Sequence, residues 1–165
     1  MLVYRFLHTG ERERRAGDTT RALIDLNTAV ELMLPITLKH GGPIVGFTAD
    51  EQDGAAQAGP KNKVAKYVAK LLNEEIDIDD PETAWGAWFT GGYMLRNNAI
   101  HEGVAFDRER VEQAFAQAWT AMAELKTKLE ERSPLEKLGN QFAVDLGRQP
   151  KPADDPPLGF SFPWD

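Results

Sequence analysis

The residues of this chain best suited to chemistry lie in "LRNNAIHEG", from Leu95 to Gly103, which sets Arg96, Asn97 and His101 close to an expected helix end. On an ideal helix turning about 100° per residue, Arg96 falls near the centre of an apolar face, in line with Trp85, Phe89 and Gly92. A guanidinium held away from water needs an anion, because an unpaired charge there is costly. Two anions fit. One is Glu31, which flanks the apolar stripe of an earlier helix beside Asn27. The other is a phosphate, which arginine grips through two parallel hydrogen bonds. Asn97 and His101 are four residues apart and share one side of the helix. His101 stands about 140° from Arg96 on the same projection. One regular helix cannot bring the two together. Either the helix loosens at His101, or a second copy of the chain brings its own Arg and His across a two-fold axis.

The helix that carries these residues is expected from Pro81 to about His101, with Asp80 as N-cap. Gly91 and Gly92 lie in its middle. Each costs about 1 kcal/mol relative to alanine, so they mark a kink or the close approach of another helix. Gly103 suits the left-handed residue that follows many helix ends.

Three other helices frame it. The first opens at "GDTTRALIDLNTAVELML", with Asp18 or Thr19 as N-cap and Leu23, Leu26, Val30, Met33 and Leu34 at helical spacing. Pro35 should end or kink it. "KHGGP" reads as a turn, "IVGF" as a short extended piece and "TADEQDGAAQAG" as a loop. A second helix starts near Pro60 and carries the stripe Val64, Tyr67, Val68, Leu71, Leu72. A fourth opens at Asp107 and runs past Leu129. A short helix is expected near Leu135–Leu138, and "LVYRFL" at the start reads as a short strand. These elements predict an all-α bundle of four to five helices over residues 1–132. Residues 133–165 form a Pro-rich extension that holds six of the ten prolines.

Composition narrows the function classes. The chain has 165 residues, which fits one domain with one core. Without cysteine, disulfides and thiolate metal sites are excluded, and the three histidines lie far apart. Zinc held by His and carboxylates stays open on composition alone, but no metal or cofactor is expected. No apolar run approaches the roughly 20 residues of a membrane span. The first residues are too charged for a signal peptide, so the expected compartment is the cytoplasm. A net charge of −7 argues against a broad surface for duplex nucleic acid but leaves room for one local site.

"RNNAIH" resembles the Arg-polar-x-x-x-His motif of HEPN domains, all-α bundles of many prokaryotic RNases and defence proteins. Asn97 stands where the family has a small polar residue, and "LIDLNTAVELML" is similar to an early HEPN helix that often carries an acidic residue. The resemblance covers roughly residues 18–131. It implies metal-independent cleavage of RNA by attack of the ribose 2′-OH on the adjacent phosphate. His101 would move a proton, Arg96 would stabilise the charge on phosphate oxygens, and Asn97 would orient the phosphate or His101. It also implies a homodimer in which two motifs meet in one cleft, and a toxin–antitoxin or phage-defence setting with a cognate antitoxin. The alternatives are an inactive module of this kind that binds RNA or a protein partner, and a helical assembly protein.

Plainer roles stand beside these. Arg96 pairs with Glu31 inside the bundle, and His101 favours the last carbonyls of its helix. Asn98 faces solvent. His8 and His40 read as loop residues, and Trp85, Trp88 and Trp119 as core or dimer interface. Arg12, Arg14 and Arg15, interleaved with Glu11 and Glu13, read as a solvated surface. Phe160, Phe162 and Trp164 could dock on this bundle, a dimer mate or another protein, or belong to a disordered end.

Overall fold

The computed structural model describes residues 2–102 and 106–141. Its described residues form helices and no strand, as the patterning predicts for an all-α chain. They make seven helices rather than four or five. These are α1 (Leu2–Ala16), α2 (Thr19–Gly41), α3 (Ala49–Gln57), α4 (residues 60–72), α5 (residues 84–102), α6 (Arg108–Glu131) and α7 (Glu136–Gln141). Two of them, α4 and α5, each contain a π-helical segment, Lys63–Val68 and Trp88–Tyr93.

At the centre lies α2, which packs against α1, α3, α4, α5, α6 and α7. Its stripe Leu23, Leu26, Val30, Met33, Leu34 and Leu38 is buried almost completely. Asp18 is its N-cap and accepts from the Arg21 backbone N–H at 3.0 Å. Pro35 does not end it. Thr37, Leu38 and Gly41 beyond the proline are buried, and that packing outweighs a cost of about 3 kcal/mol for an interior proline. The hydrogen bond that Pro35 cannot donate is the one to the Glu31 carbonyl, four residues back.

Three segments differ from expectation for local reasons. "LVYRFL" opens α1 instead of a strand, since Val3, Leu7 and Arg14 recur on one buried face, with Gly10 close against the α2 backbone between them. "TADEQDGAAQAG" holds α3 instead of a loop. Thr48 caps it, and Thr48 and Glu51 bond reciprocally at 3.2 and 3.0 Å, a capping box. "IVGF" contributes to a 3-10 turn, Pro43–Val45, instead of an extended piece. The turn expected at "KHGGP" gives its Lys39, His40 and Gly41 to the end of α2.

The remaining helices follow their patterns. Val64, Tyr67, Val68, Leu71 and Leu72 of α4 are all buried, and Asp107 caps α6 by accepting from Arg110 N–H at 2.9 Å. In α5 the start moves three residues. Asp80 spends its carboxylate on the Glu82 N–H at 2.9 Å, and Thr83 caps the helix through the Gly86 N–H at 3.0 Å. Leu135 and Leu138, beyond residue 132, join the same core. Gly103 and residues 142–165, including Phe160, Phe162 and Trp164, lie outside the described residues.

Candidate functional site

The candidate residues are positioned where α5 crosses α2. Two rungs join the helices. The lower rung is Asn27, which is fully buried. Its Nδ2 donates to the Leu23 carbonyl at 2.9 Å and to the Gly92 carbonyl at 3.2 Å, and its Oδ1 accepts from Trp88 Nε1 at 3.1 Å. Asn27 thus bridges from its own helix to the π-helical segment of α5. One turn further along both helices comes the upper rung, Glu31 against Arg96. Arg96 Nη2 donates to Glu31 Oε2 at 3.3 Å, and Nη1 donates to Asn97 Oδ1 at 3.0 Å.

Gly91 and Gly92 face the helices on either side of α5. A Cβ at Gly91 would lie 2.0 Å from Gln117 Oε1 of α6. At Gly92 a Cβ would lie 3.4 Å from Asn27 Oδ1 of α2, and both glycines fall where the helix widens into its π-helical segment.

Arg96 is less buried than an ideal helix implies. Its side chain is 21% exposed and that of Glu31 25%, whereas Gly92 and Ala99 take the deep positions. The guanidinium thus lies at the margin of the α2–α5 interface and not at the centre of an apolar face. Two of its three nitrogens have partners, and its Nε is buried with none. Lys63 of α4 stands in the same electrostatic neighbourhood. Burial lowers its pKa, while the charge of Glu31 works the other way. Its ammonium donates to the carbonyls of Ala56 and Ala58 at the end of α3.

His101 lies on the exposed surface of α5, beside exposed Asn98 and Ile100. Among the described residues it makes no hydrogen bond to Arg96 or Asn97. One chain therefore brings Arg96 and Asn97 together and leaves His101 apart. His8 and His40 are exposed helical residues of α1 and α2, not loop residues. Trp85 and Trp88 are core, and Trp119 is partly buried. A surface cleft lined by Ala69, Lys70, Asn73 and Ile76 contains none of the candidate residues.

Sequence reasoning singled out Glu31 but gave Asn27 and Lys63 no role. For Asn27 a signal exists: it precedes Glu31 by four residues, as Gly92 precedes Arg96, so the two pairs repeat in register. For Lys63 none exists, because its neighbourhood arises from tertiary packing.

The arrangement offers an anion-binding arginine with unused donors, an asparagine fixed to it, and an imidazole open to solvent. Among the described residues, no group of three or more His, Asp or Glu side chains is placed to hold a metal ion. No described helix is long and apolar enough to cross a membrane. Comparison of the chain with family models, with curated proteins and with solved structures finds no match.

Proposed function

We propose that the protein is a HEPN-like, metal-independent endoribonuclease that works as a homodimer. The observation that supports this reading most is the state of Arg96. Its side chain is partly exposed, it holds Asn97, and it has a buried Nε–H without a partner, on the helix where His101 is open to solvent. A second copy docked on this face supplies what one chain lacks, an Arg96 and a His101 pointing into one cleft.

The chemistry needs no cofactor. The ribose 2′ oxygen attacks phosphorus, the O2′–P bond forms, and the P–O5′ bond breaks. One His101 of the dimer takes the 2′-OH proton, and the other gives a proton to the leaving 5′ oxygen. Arg96 neutralises charge on the non-bridging oxygens, and Asn97 fixes its guanidinium. The products are a 2′,3′-cyclic phosphate and a 5′-hydroxyl. Dependence on the 2′-OH selects RNA over DNA. A toxin–antitoxin or defence setting, with a cognate antitoxin as partner, belongs to the same reading.

The test is incubation of purified protein with single-stranded RNA in EDTA, beside His101→Ala and Arg96→Ala. Cleavage by the unaltered protein alone, with cyclic phosphate ends, is expected. Equal cleavage by His101→Ala defeats the reading. A strict monomer at assay concentration, seen by light scattering, defeats the composite cleft.

The bonded contact with Glu31 favours a second reading, a helical binding or assembly module in which Arg96 is a bundle ion pair. Under it no preparation cleaves RNA, and Arg96→Ala lowers only stability.

A further inference from the structure

We infer that Glu31 is an internal stand-in for the substrate phosphate: its carboxylate occupies Arg96 in the free protein and must leave before a phosphodiester is gripped. The inference rests on the reading of Arg96 as the phosphate-binding group and adds a gate to that site.

The geometry is that of a replaceable partner. Glu31 reaches Arg96 through a single contact of 3.3 Å, with both side chains a fifth to a quarter exposed. Ion pairs of this kind contribute little against water and salt. A phosphodiester has two non-bridging oxygens. It can engage two N–H groups of a guanidinium in parallel, the arrangement arginine favours. The Nε–H, buried and without a partner, is the donor that such a ligand uses and Glu31 does not.

Two further features suit a carboxylate that moves. Pro35 removes the backbone hydrogen bond to the Glu31 carbonyl, so the turn of α2 that carries Glu31 is the one with a missing rung. The charge of Glu31 also acts on Lys63 of α4. When the carboxylate withdraws, two cations lose their shared counter-charge, and an incoming anion restores the balance. Asn27 holds the rung below through three hydrogen bonds and keeps α5 in place while the upper rung opens.

The experiment measures binding apart from cleavage. In a His101→Ala background, a fluorescent single-stranded RNA is titrated by anisotropy, and inorganic phosphate by calorimetry. Glu31→Gln is expected to tighten both by roughly fivefold, the factor matching loss of one weak, competing ion pair. Adding Arg96→Gln should cancel that gain. Unchanged affinity in a Glu31→Gln protein with native helicity overturns the inference. So does a gain that survives Arg96→Gln, because net charge alone then explains it. If Glu31→Gln fails to fold, Glu31→Asp serves, since its shorter side chain keeps the charge but loses reach. A smaller gain is then expected, and none overturns the gate. An RNA-inert parent whose Glu31→Gln variant still binds phosphate more tightly defeats the ribonuclease reading and leaves the gate standing.

Discussion

Two arginines in this fold meet carboxylates, and they meet them differently. Arg14 of α1 is 1% exposed in its side chain. Its Nε and Nη2 grip both oxygens of Glu11 at 2.7 and 2.8 Å, its Nη1 donates to Glu112 of α6, and its guanidinium lies 5.3 Å from the Phe115 ring centre. Burial works against its charge, but Glu11 and Glu112 outweigh burial and hold its pKa above the ordinary value. Arg96 of α5 has one carboxylate contact at 3.3 Å, one neighbouring amide and an orphaned Nε. The first arginine is saturated by its own fold, as a structural ion pair requires. The second leaves donors for something else. Saturation of donors, more than burial, separates the two arginines: Arg14 has partners for all three nitrogens, and Arg96 has an Nε with none.

The largest expected effect follows from Arg14. Arg14→Met keeps the apolar stem but leaves Glu11 and Glu112 without their shared cation. Breaking one side of such a pair costs several kcal/mol, and the partial exposure of both carboxylates sets the expectation at about 3 kcal/mol. Denaturant unfolding should show it as a lower midpoint at unchanged slope. A loss below about 1 kcal/mol would place Arg14 in the same class as Arg96 and dissolve the contrast.

The same pair of arginines shows what the sequence made legible. Periodicity found α2, α4, α5 and α6, because each buries a long stripe against the others. It failed at α1, where the buried face contains Gly10 and Arg14, residues that look polar or neutral until a partner helix covers them. The "TADE" capping box at Thr48 was present in the sequence, yet "TADEQDGAAQAG" has few large apolar residues, so α3 read as a loop. Glu31 as a partner for Arg96 was legible from spacing on two amphipathic helices. Arg14 was not, for it read as part of a solvated basic run, and Glu112 lies 98 residues away. Only tertiary packing brings those charges together. For the same reason the partial exposure of Arg96 escaped an ideal projection, which assumes one regular helix where the chain inserts a π-helical segment.

Acid should separate the two sites next. Burial pushes Glu11 upward, but hydrogen bonds and charge from Arg14 and Arg15 prevail and hold its pKa below the usual 4.5. A carboxyl depressed in the folded state contributes stability that is complete above its unfolded pKa and lost as pH falls through the folded value. The melting temperature should therefore drop steeply below about pH 4.5, by less than the full effect of Arg14→Met, because Glu11 is partly screened by water. Glu11→Gln should flatten that acid limb. Asp25 has the opposite sign, since burial raises its pKa despite the charge of Arg21, so its ionisation opposes folding as pH rises. Asp25→Asn should then gain stability at neutral pH and leave the acid limb in place. An acid limb unchanged in Glu11→Gln would mean that Arg14 does not depend on Glu11.

The smallest stability effect belongs to Arg96. A single partly exposed contact contributes about 1 kcal/mol or less, and its removal leaves Glu31 near enough to water to remain solvated. The charge of Lys63 also acts on Glu31. Arg96→Ala should thus lower stability by under about 1 kcal/mol in the same denaturant measurement that registers Arg14→Met at about three times as much. A loss of 3 kcal/mol or more would show that the Glu31–Arg96 rung carries the α2–α5 crossing, a task assigned above to Asn27. A small loss agrees with a division of labour between adjacent turns of α2. Asn27, buried and bonded through both its amide groups, fixes the crossing, and Glu31, one turn on, holds its arginine through one partly exposed contact.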